Sequence, residues 1–343
     1  MQIKDFIKKY DPQNQFDVLV NSFKQIDEAW QTDLSKLSLN VSNLKNIVIS
    51  GLGGSAISAD LIKNFLVYEL KIPVIVNRNY HLPLFANQDT LFIASSYSGN
   101  TEETLSSLNE AIGKNCKIIC ISTGGKVEEI AKEKGLHHVK LKSGFQPRYA
   151  LGLSFFTLLK IFQHLELVEN QNEVVEKIQS VWEENGKAFS SEENQTLQIA
   201  AYLVGFIPII YSVSDKTNSV GYRLKSQINE NSKLHAFHNE LPEMNHNEII
   251  GWESYQDKHF RTKVLQIIDE SYHPQIKKRF TILNELITKS EIEILKLEST
   301  HADFKVRLLD LIYLSDWISY YLGVLRGFDP SEINYINILK EKL

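Results

Sequence analysis

Short runs of β-branched and other apolar residues alternate with amphipathic stretches of helical length through the first half of the chain. Asn46-Ile-Val-Ile-Ser50 is the first such run, and 73–76, 90–94 and 117–121 read as further strands. Helical patterns occupy 56–68 and 101–114 and continue over 127–133 and 149–167. Strands joined by helices of that length are parallel, because a crossover is needed to bring the chain back to the same sheet edge. A parallel sheet must in turn be covered on both faces. The first half is therefore expected to be a doubly wound α/β/α sandwich with a central parallel sheet, preceded by a helix over 15–36.

The second half repeats this order of elements loosely, in architecture and not in residue identity. A polar stretch over 169–186 reads as helix and linker, and 180–195 as no more than a polar linker and helix. A helix over 197–206, a strand over 208–211, a polar loop over 212–218 and a helix over 220–233 follow. Strands over 263–268 and 292–297 flank a helix over 277–289. The segment 302–325 is apolar on most of its circumference, so it is expected to lie buried between domains or subunits. At ~150 residues per domain, the 343 residues hold two domains, expected at 1–168 and 169–343.

Composition narrows the function classes. The chain is 43% apolar and 23% charged, enough to bury a full core. Lys plus Arg number 37 against 42 Asp plus Glu, a formal charge of -5 with no basic run. That balance argues against nucleic acid or an anionic membrane as the main partner. Cys116 and Cys120 are the two cysteines, so there is no disulfide scaffold, and both are expected to sit in the core on one face of a strand. The N-terminal residues carry neither a signal-peptide core nor an Arg-rich transit pattern. No run reaches the length of a membrane span. A cytoplasmic enzyme is expected.

Two strand-to-helix turns carry the chemistry. Gly51-Leu-Gly-Gly-Ser55 ends the first strand and opens a helix, where backbone N–H groups and the helix dipole favour an anion. It lacks Gly-x-Gly-x-x-Gly spacing and is followed by no Gly-Lys-Ser/Thr, so a close-packed tight turn is an equal reading. Ser95-Ser-Tyr-Ser-Gly-Asn-Thr101 makes the second turn. Its hydroxyls suit helix capping, but a cap needs only one. Ser96, Ser98 and Thr101 together suit a phosphate monoester, and the carboxyl ends of parallel strands are where such sheets bind ligands.

Gly53-Gly54-Ser55 with Ser96-x-Ser98-Gly-x-Thr101 resembles the phosphosugar-binding signature of the sugar isomerase (SIS) domain family. Gln146-Pro-Arg-Tyr-Ala150, Asn229-Glu-Asn-Ser-Lys233, Pro242-Glu-Met-Asn-His-Asn-Glu248 and Asp329-Pro followed by Leu339-Lys340 resemble the bifunctional phosphoglucose/phosphomannose isomerases. The likeness runs in order from about residue 45 to the end. It implies two SIS-type domains and aldose–ketose isomerisation of glucose 6-phosphate, extending to mannose 6-phosphate, through a cis-enediol. It further implies a homodimer with shared active sites.

The same resemblance distributes the roles. Glu230 becomes the base that moves the proton, aided by partial burial. Its neighbours Asn229, Asn231 and Ser232 are unusual in a helix interior, which also points to a site. His246 opens the sugar ring, reaching the site of the neighbouring subunit. Arg148 supplies fixed positive charge against the enediolate, and Lys340 assists ring opening or contacts the sugar. Ser331 stands where relatives often carry Thr, a hydroxyl linked to handling the mannose epimer. No metal and no cofactor is expected: His235-x-x-His238 lacks a completing Cys, and Glu240 and Glu243 form no metal pattern. The competing class is a phosphosugar-binding SIS protein without turnover, regulatory or sensing. No basic DNA-binding segment precedes the first strand, which weighs against it.

Overall fold

The computed structural model describes residues 2–255 and 260–342, so Met1 and Leu343, the outer ends of the expected domains, lie outside the described residues. The helices α1 (Ile3–Tyr10), α2 (Gln15–Val20) and α3 (Phe23–Trp30) come first, so the single helix expected over 15–36 is two. The break falls where side chains turn back onto the helix. Asn21 Nδ2 donates to the Asp17 carbonyl at 2.8 Å and Ser22 Oγ to that of Val18 at 3.0 Å. Such bonds compete with the backbone ladder and favour helix ends.

The first compact unit is Phe23–Gln179. It contains β1 (Asn46–Ser50), α4 (Gly53–Phe65), β2 (Val74–Asn77), β3 (Thr90–Ser95), α5 (Glu102–Gly113), β4 (Lys117–Ser122), α6 (Gly125–Lys134), β5 (His137–Lys140) and α7 (Leu151–His164). All strands are parallel, in the order β2-β1-β3-β4-β5. Val48, Phe92, Ala94, Ile118 and Cys120 line one face and pack on Leu108 of α5 and Val127 of α6. The alternate residues Ile47, Ile49, Leu91 and Ile93 are also fully buried, on the face where α4 packs against β1 and β2. Cys116 packs against the same cluster as Cys120. Burial pushes the Cys120 thiol up to about 12, which makes it an inert core residue. The strand β5, with the sequence His-His-Val-Lys, escapes sequence reading because an edge strand needs little apolar surface.

The second unit joins Met1–Ser22 to Ser180–Leu343. Its elements are α8 (Asn172–Phe189), which begins before the boundary, α9 (Gln195–Leu203), β6 (Ile207–Val213), α10 (Asn218–Ser232), β7 (Phe237–Leu241), β8 (Thr262–Ile268), α11 (Pro274–Thr288), β9 (Ile294–Glu298), α12 (Phe304–Leu325) and α13 (Asn334–Lys342). The sheet is again parallel, in the order β7-β6-β8-β9. This division differs from the expected 1–168 and 169–343, and α12 is the reason. Tyr313 OH donates to the Leu19 carbonyl at 2.6 Å and Tyr320 OH to Asp11 Oδ2 at 2.8 Å. Trp182 of α8 stacks on Tyr313 with ring centroids 4.9 Å apart and donates from Nε1 to the Leu309 carbonyl at 3.0 Å. Among the described residues α12 is the one helix long and apolar enough to cross a membrane, and 89% of its apolar window is buried. That burial comes from its own unit, chiefly from α9 and α10.

A serine–histidine pair recurs beside both sheets. Ser122 Oγ lies 2.8 Å from His138 Nε2, and Ser212 Oγ lies 2.7 Å from His238 Nε2. Burial, with Lys225 adding to it, pushes the His238 imidazole down to about 4. Above pH 6.5 the ring is neutral folded or unfolded and contributes no pH dependence. Below it the unfolded chain takes a proton that the folded chain resists, so stability is lost as pH falls from 6.5 towards 4. The expected loss is up to roughly 3 kcal/mol. Urea unfolding at pH 7 and pH 4.5 measures it, and His238→Gln should flatten the difference.

Candidate active site

The two sequence turns are one hydrogen-bonded structure in the first unit. Ser96 Oγ and Thr101 Oγ1 are 2.8 Å apart, and Gly99 N–H donates to Ser96 Oγ at 3.1 Å. Asn100 N–H donates to Ser98 Oγ at 3.3 Å. Tyr97 N–H donates to Ser55 Oγ at 3.2 Å, tying the second turn to the first turn of α4. Thr101 is the N-cap residue of α5, yet its hydroxyl makes no capping bond, and Leu52 at the N-cap of α4 has none to offer. Both helices therefore keep N-terminal N–H groups directed at the turns without a side-chain cap. The capping reading therefore fails at Thr101. The donors of the two turns are neutral: Ser98 is exposed, Thr101 and Gly54 half-buried, Ser55 and Ser96 buried.

Close backbone approach fixes the shape of these turns. Gly99 has φ +73°, and a Cβ there would fall 1.8 Å from the Gly124 carbonyl oxygen. Gly99→Ala therefore meets a backbone atom that cannot yield as a side chain could. The combined cost of the left-handed backbone and the clash is about 3 kcal/mol or more. A lowered urea midpoint and a raised KM for a substrate held by a phosphate group are expected together. Normal stability with normal KM would show that this turn relaxes freely.

Arg148 sits in a short 3₁₀ turn, Pro147–Tyr149, ahead of α7 and not inside the long helix. The side chain is buried, with its guanidinium carbon 5.6 Å from the Tyr149 ring centroid. A Cβ at Gly54 would lie 2.8 Å from the Pro147 carbonyl oxygen, so a glycine in α4 permits the contact with this turn. Gln25 Nε2 holds the other end by donating to the Tyr149 carbonyl at 2.8 Å. Gly53, Gly54, Ser55, Ser96, Ser98, Thr101 and Arg148 thus belong to one assembly.

In the second unit, Glu230 lies in the last turn of α10 and is half-buried. The polar neighbours that marked it serve the scaffold. Asn229 Nδ2 donates to the Leu234 carbonyl at 2.8 Å, Asn231 Nδ2 to Ser319 Oγ at 3.0 Å and Ser232 Oγ to the Ser319 carbonyl at 2.8 Å. A Cβ at Gly323 would lie 2.5 Å from the Asn231 carbonyl oxygen, so α12 meets the end of α10 at backbone contact. Two turns back, Arg223 forms a two-pronged pair with buried Asp316, both contacts at 2.8 Å, and Gln227, one turn back, donates to the same carboxylate at 3.0 Å. The carboxylate of Glu230 is thereby carried on a helix end fastened to α12.

Lys233, which ends α10 in the left-handed conformation, donates from Nζ to the Asp329 carbonyl. This brings the Asp329-Pro-Ser331 segment to the helix end that carries Glu230. Ser331 is 2% exposed, and its hydroxyl makes no hydrogen bond with a described residue. His246 ends an exposed 3₁₀ turn, Glu243–His246. Lys340 is exposed on α13, which has no buried residue. No three His, Cys, Asp or Glu side chains cluster as metal ligands among the described residues, and His238 of the His-x-x-His pair is engaged with Ser212. Sequence reasoning passed over Tyr97 and Lys233. Their signals were a lone aromatic inside a serine turn and a long side chain at a helix stop, and neither specifies a partner.

The chain shares its fold with solved structures. The C-terminal domain of glucosamine-fructose-6-phosphate aminotransferase from Francisella tularensis superposes with TM-score 0.68 at 16% identity, covering 92% of this chain and 97% of that one. The family model described as bacterial phospho-glucose isomerase C-terminal SIS domain matches residues 192–343. A bifunctional phosphoglucose/phosphomannose isomerase of Caldicellulosiruptor bescii is 39% identical over 334 residues, covering 96% of this chain and 98% of the relative. One from Aquifex aeolicus is 35% identical, covering 91% and 95%. The architecture is that of an α/β protein with two parallel sheets, the second in a domain of SIS type. The chain belongs to the bifunctional phosphoglucose/phosphomannose isomerase family.

Proposed function

We propose that this chain is an isomerase that interconverts glucose 6-phosphate and mannose 6-phosphate with fructose 6-phosphate. The observation that carries the reading is the hydroxyl-lined double turn at two helix N-termini, in a chain similar along its length to isomerases of that name. In this reading the cradle of Gly53, Gly54, Ser55, Ser96, Ser98 and Thr101 holds the dianionic phosphate with neutral donors. Glu230 takes the proton from one of C1 and C2 and returns it to the other through a cis-enediol. Arg148 offsets the charge that develops on the enediolate oxygens. His246, exposed on its turn, is given ring opening in a second copy of the chain, which makes the enzyme a homodimer with shared sites. Lys340 is placed with the sugar, and the hydroxyl of Ser331, which has no hydrogen-bond partner among the described residues, supports a part for it in admitting the second epimer.

The chemistry needs a carboxylate base and a fixed cation, so the proposal includes neither metal nor cofactor. We further read the enzyme as cytoplasmic. A non-catalytic phosphosugar sensor is not favoured, because the relatives are named as enzymes. Coupled assays with glucose 6-phosphate and mannose 6-phosphate, with and without a chelator, test the reading. Turnover of both with chelator present is expected. Binding of either sugar phosphate without turnover would return the chain to the sensor class.

A further inference from the structure

We infer that Tyr97 is a positioning residue that holds Arg148 in register with the phosphate cradle. The inference rests on the proposed role of Arg148 and adds what places it. Tyr97 lies between Ser96 and Ser98, so its backbone is part of the cradle. Its N–H donates to Ser55 Oγ at 3.2 Å. Its carbonyl accepts from Thr123 N–H at 2.9 Å and from Thr123 Oγ1 at 2.8 Å. The side chain leaves the turn and is 8% exposed. Its hydroxyl donates to the Lys142 carbonyl at 3.0 Å and accepts from Phe145 N–H at 3.1 Å. Those two bonds clamp the loop 142–145, whose next residues are Gln146 and the Pro147–Tyr149 turn carrying Arg148.

Burial pushes the Tyr97 phenol above its ordinary range, so the hydroxyl keeps the proton it donates to Lys142. A core tyrosine needs one partner for its hydroxyl. This one has two, both on the backbone of a loop that otherwise has no regular structure. One residue therefore joins the phosphate turn by its backbone to the loop that leads into the arginine turn by its side chain. A misplacement of about 1 Å at a group that meets the transition state can cost up to ~100-fold in rate.

Tyr97→Phe removes both hydroxyl bonds and keeps the ring. The test measures kcat, KM and the inhibition constants of two probes. Glucitol 6-phosphate carries the phosphate without a carbonyl, and a five-carbon phosphorylated hydroxamate mimics the enediolate. The expected result is kcat lowered about 10-fold or more, the hydroxamate weakened in parallel, and glucitol 6-phosphate unchanged within about 2-fold. In an Arg148→Met background the same change should be nearly silent, because residues acting through one another are not additive. Wild-type kcat and hydroxamate affinity in Tyr97→Phe would overturn the inference, as would full additivity with Arg148→Met. If Arg148→Met itself leaves kcat and hydroxamate binding intact, the proposed role of Arg148 fails and the inference falls with it. Should Tyr97→Phe fold poorly, Phe145→Pro removes the N–H at the other end of the clamp and must give the same kinetic pattern.

Discussion

Glu230→Gln is expected to lower kcat by ~10³-fold or more with glucose 6-phosphate and with mannose 6-phosphate alike. A single carboxylate removes the proton in one direction and returns it in the other, so its loss strikes both substrates and both directions. General base catalysis contributes ~10²–10⁴-fold, and glutamine retains the shape but cannot take the proton. KM should move little, because the phosphate contacts lie in the cradle of the first unit. Stability should also hold. The end of α10 is fastened by Asn229, Asn231 and Ser232, which pair with Leu234 and Ser319, and glutamine keeps the size of the side chain it replaces. Steady-state kinetics with a thermal melt separates the effects. A variant that keeps a tenth of wild-type turnover would sink Glu230 as the base.

Arg148→Met is expected to lower kcat by ~10²–10³-fold, equivalent to about 3–4 kcal/mol of oxyanion-type stabilisation. Methionine fills similar space, but removing one member of a buried polar interaction can destabilise the fold, so a thermal melt accompanies the kinetics. Arg148→Lys keeps the charge but loses the planar fork, so an intermediate rate is expected. The informative quantity is how the loss divides. A fall in kcat with KM nearly constant marks an interaction made in the transition state, whereas a raised KM with normal kcat would make Arg148 a ground-state phosphate ligand.

The parallel sheets were legible because their central strands are buried on both faces and so are largely apolar, as Thr90–Ser95 with its run Leu91–Ala94 is. The edge strands His137–Lys140 and Phe237–Leu241 were not, since half-covered strands tolerate histidine and asparagine. Non-local pairing was the larger gap. The hydroxyls of Tyr313 and Tyr320 reach Leu19 and Asp11, some three hundred residues earlier in the chain. No local pattern reports such a contact, and it alters where the compact units divide. At the site, the serine-rich turn stood out by its hydroxyls, and the structure adds that Thr101 pairs with Ser96 instead of capping α5. Asn231 and Ser232 were noticed for a sound reason, their poor fit to a helix interior. Their purpose is structural, because their partner Ser319 lies on another helix.

Proton transfer through an enediol is the core of the proposed chemistry, and isotope exchange reads it directly. Fructose 6-phosphate is incubated with the enzyme in D₂O, and the glucose 6-phosphate and mannose 6-phosphate formed are examined by NMR for deuterium at C2. A base that exchanges its proton with solvent should leave deuterium at C2 in a measurable fraction of both products, and Glu230→Gln should abolish it. Formation of both products at the normal rate with protium alone at C2 would contradict the proton-transfer mechanism and point to a hydride shift.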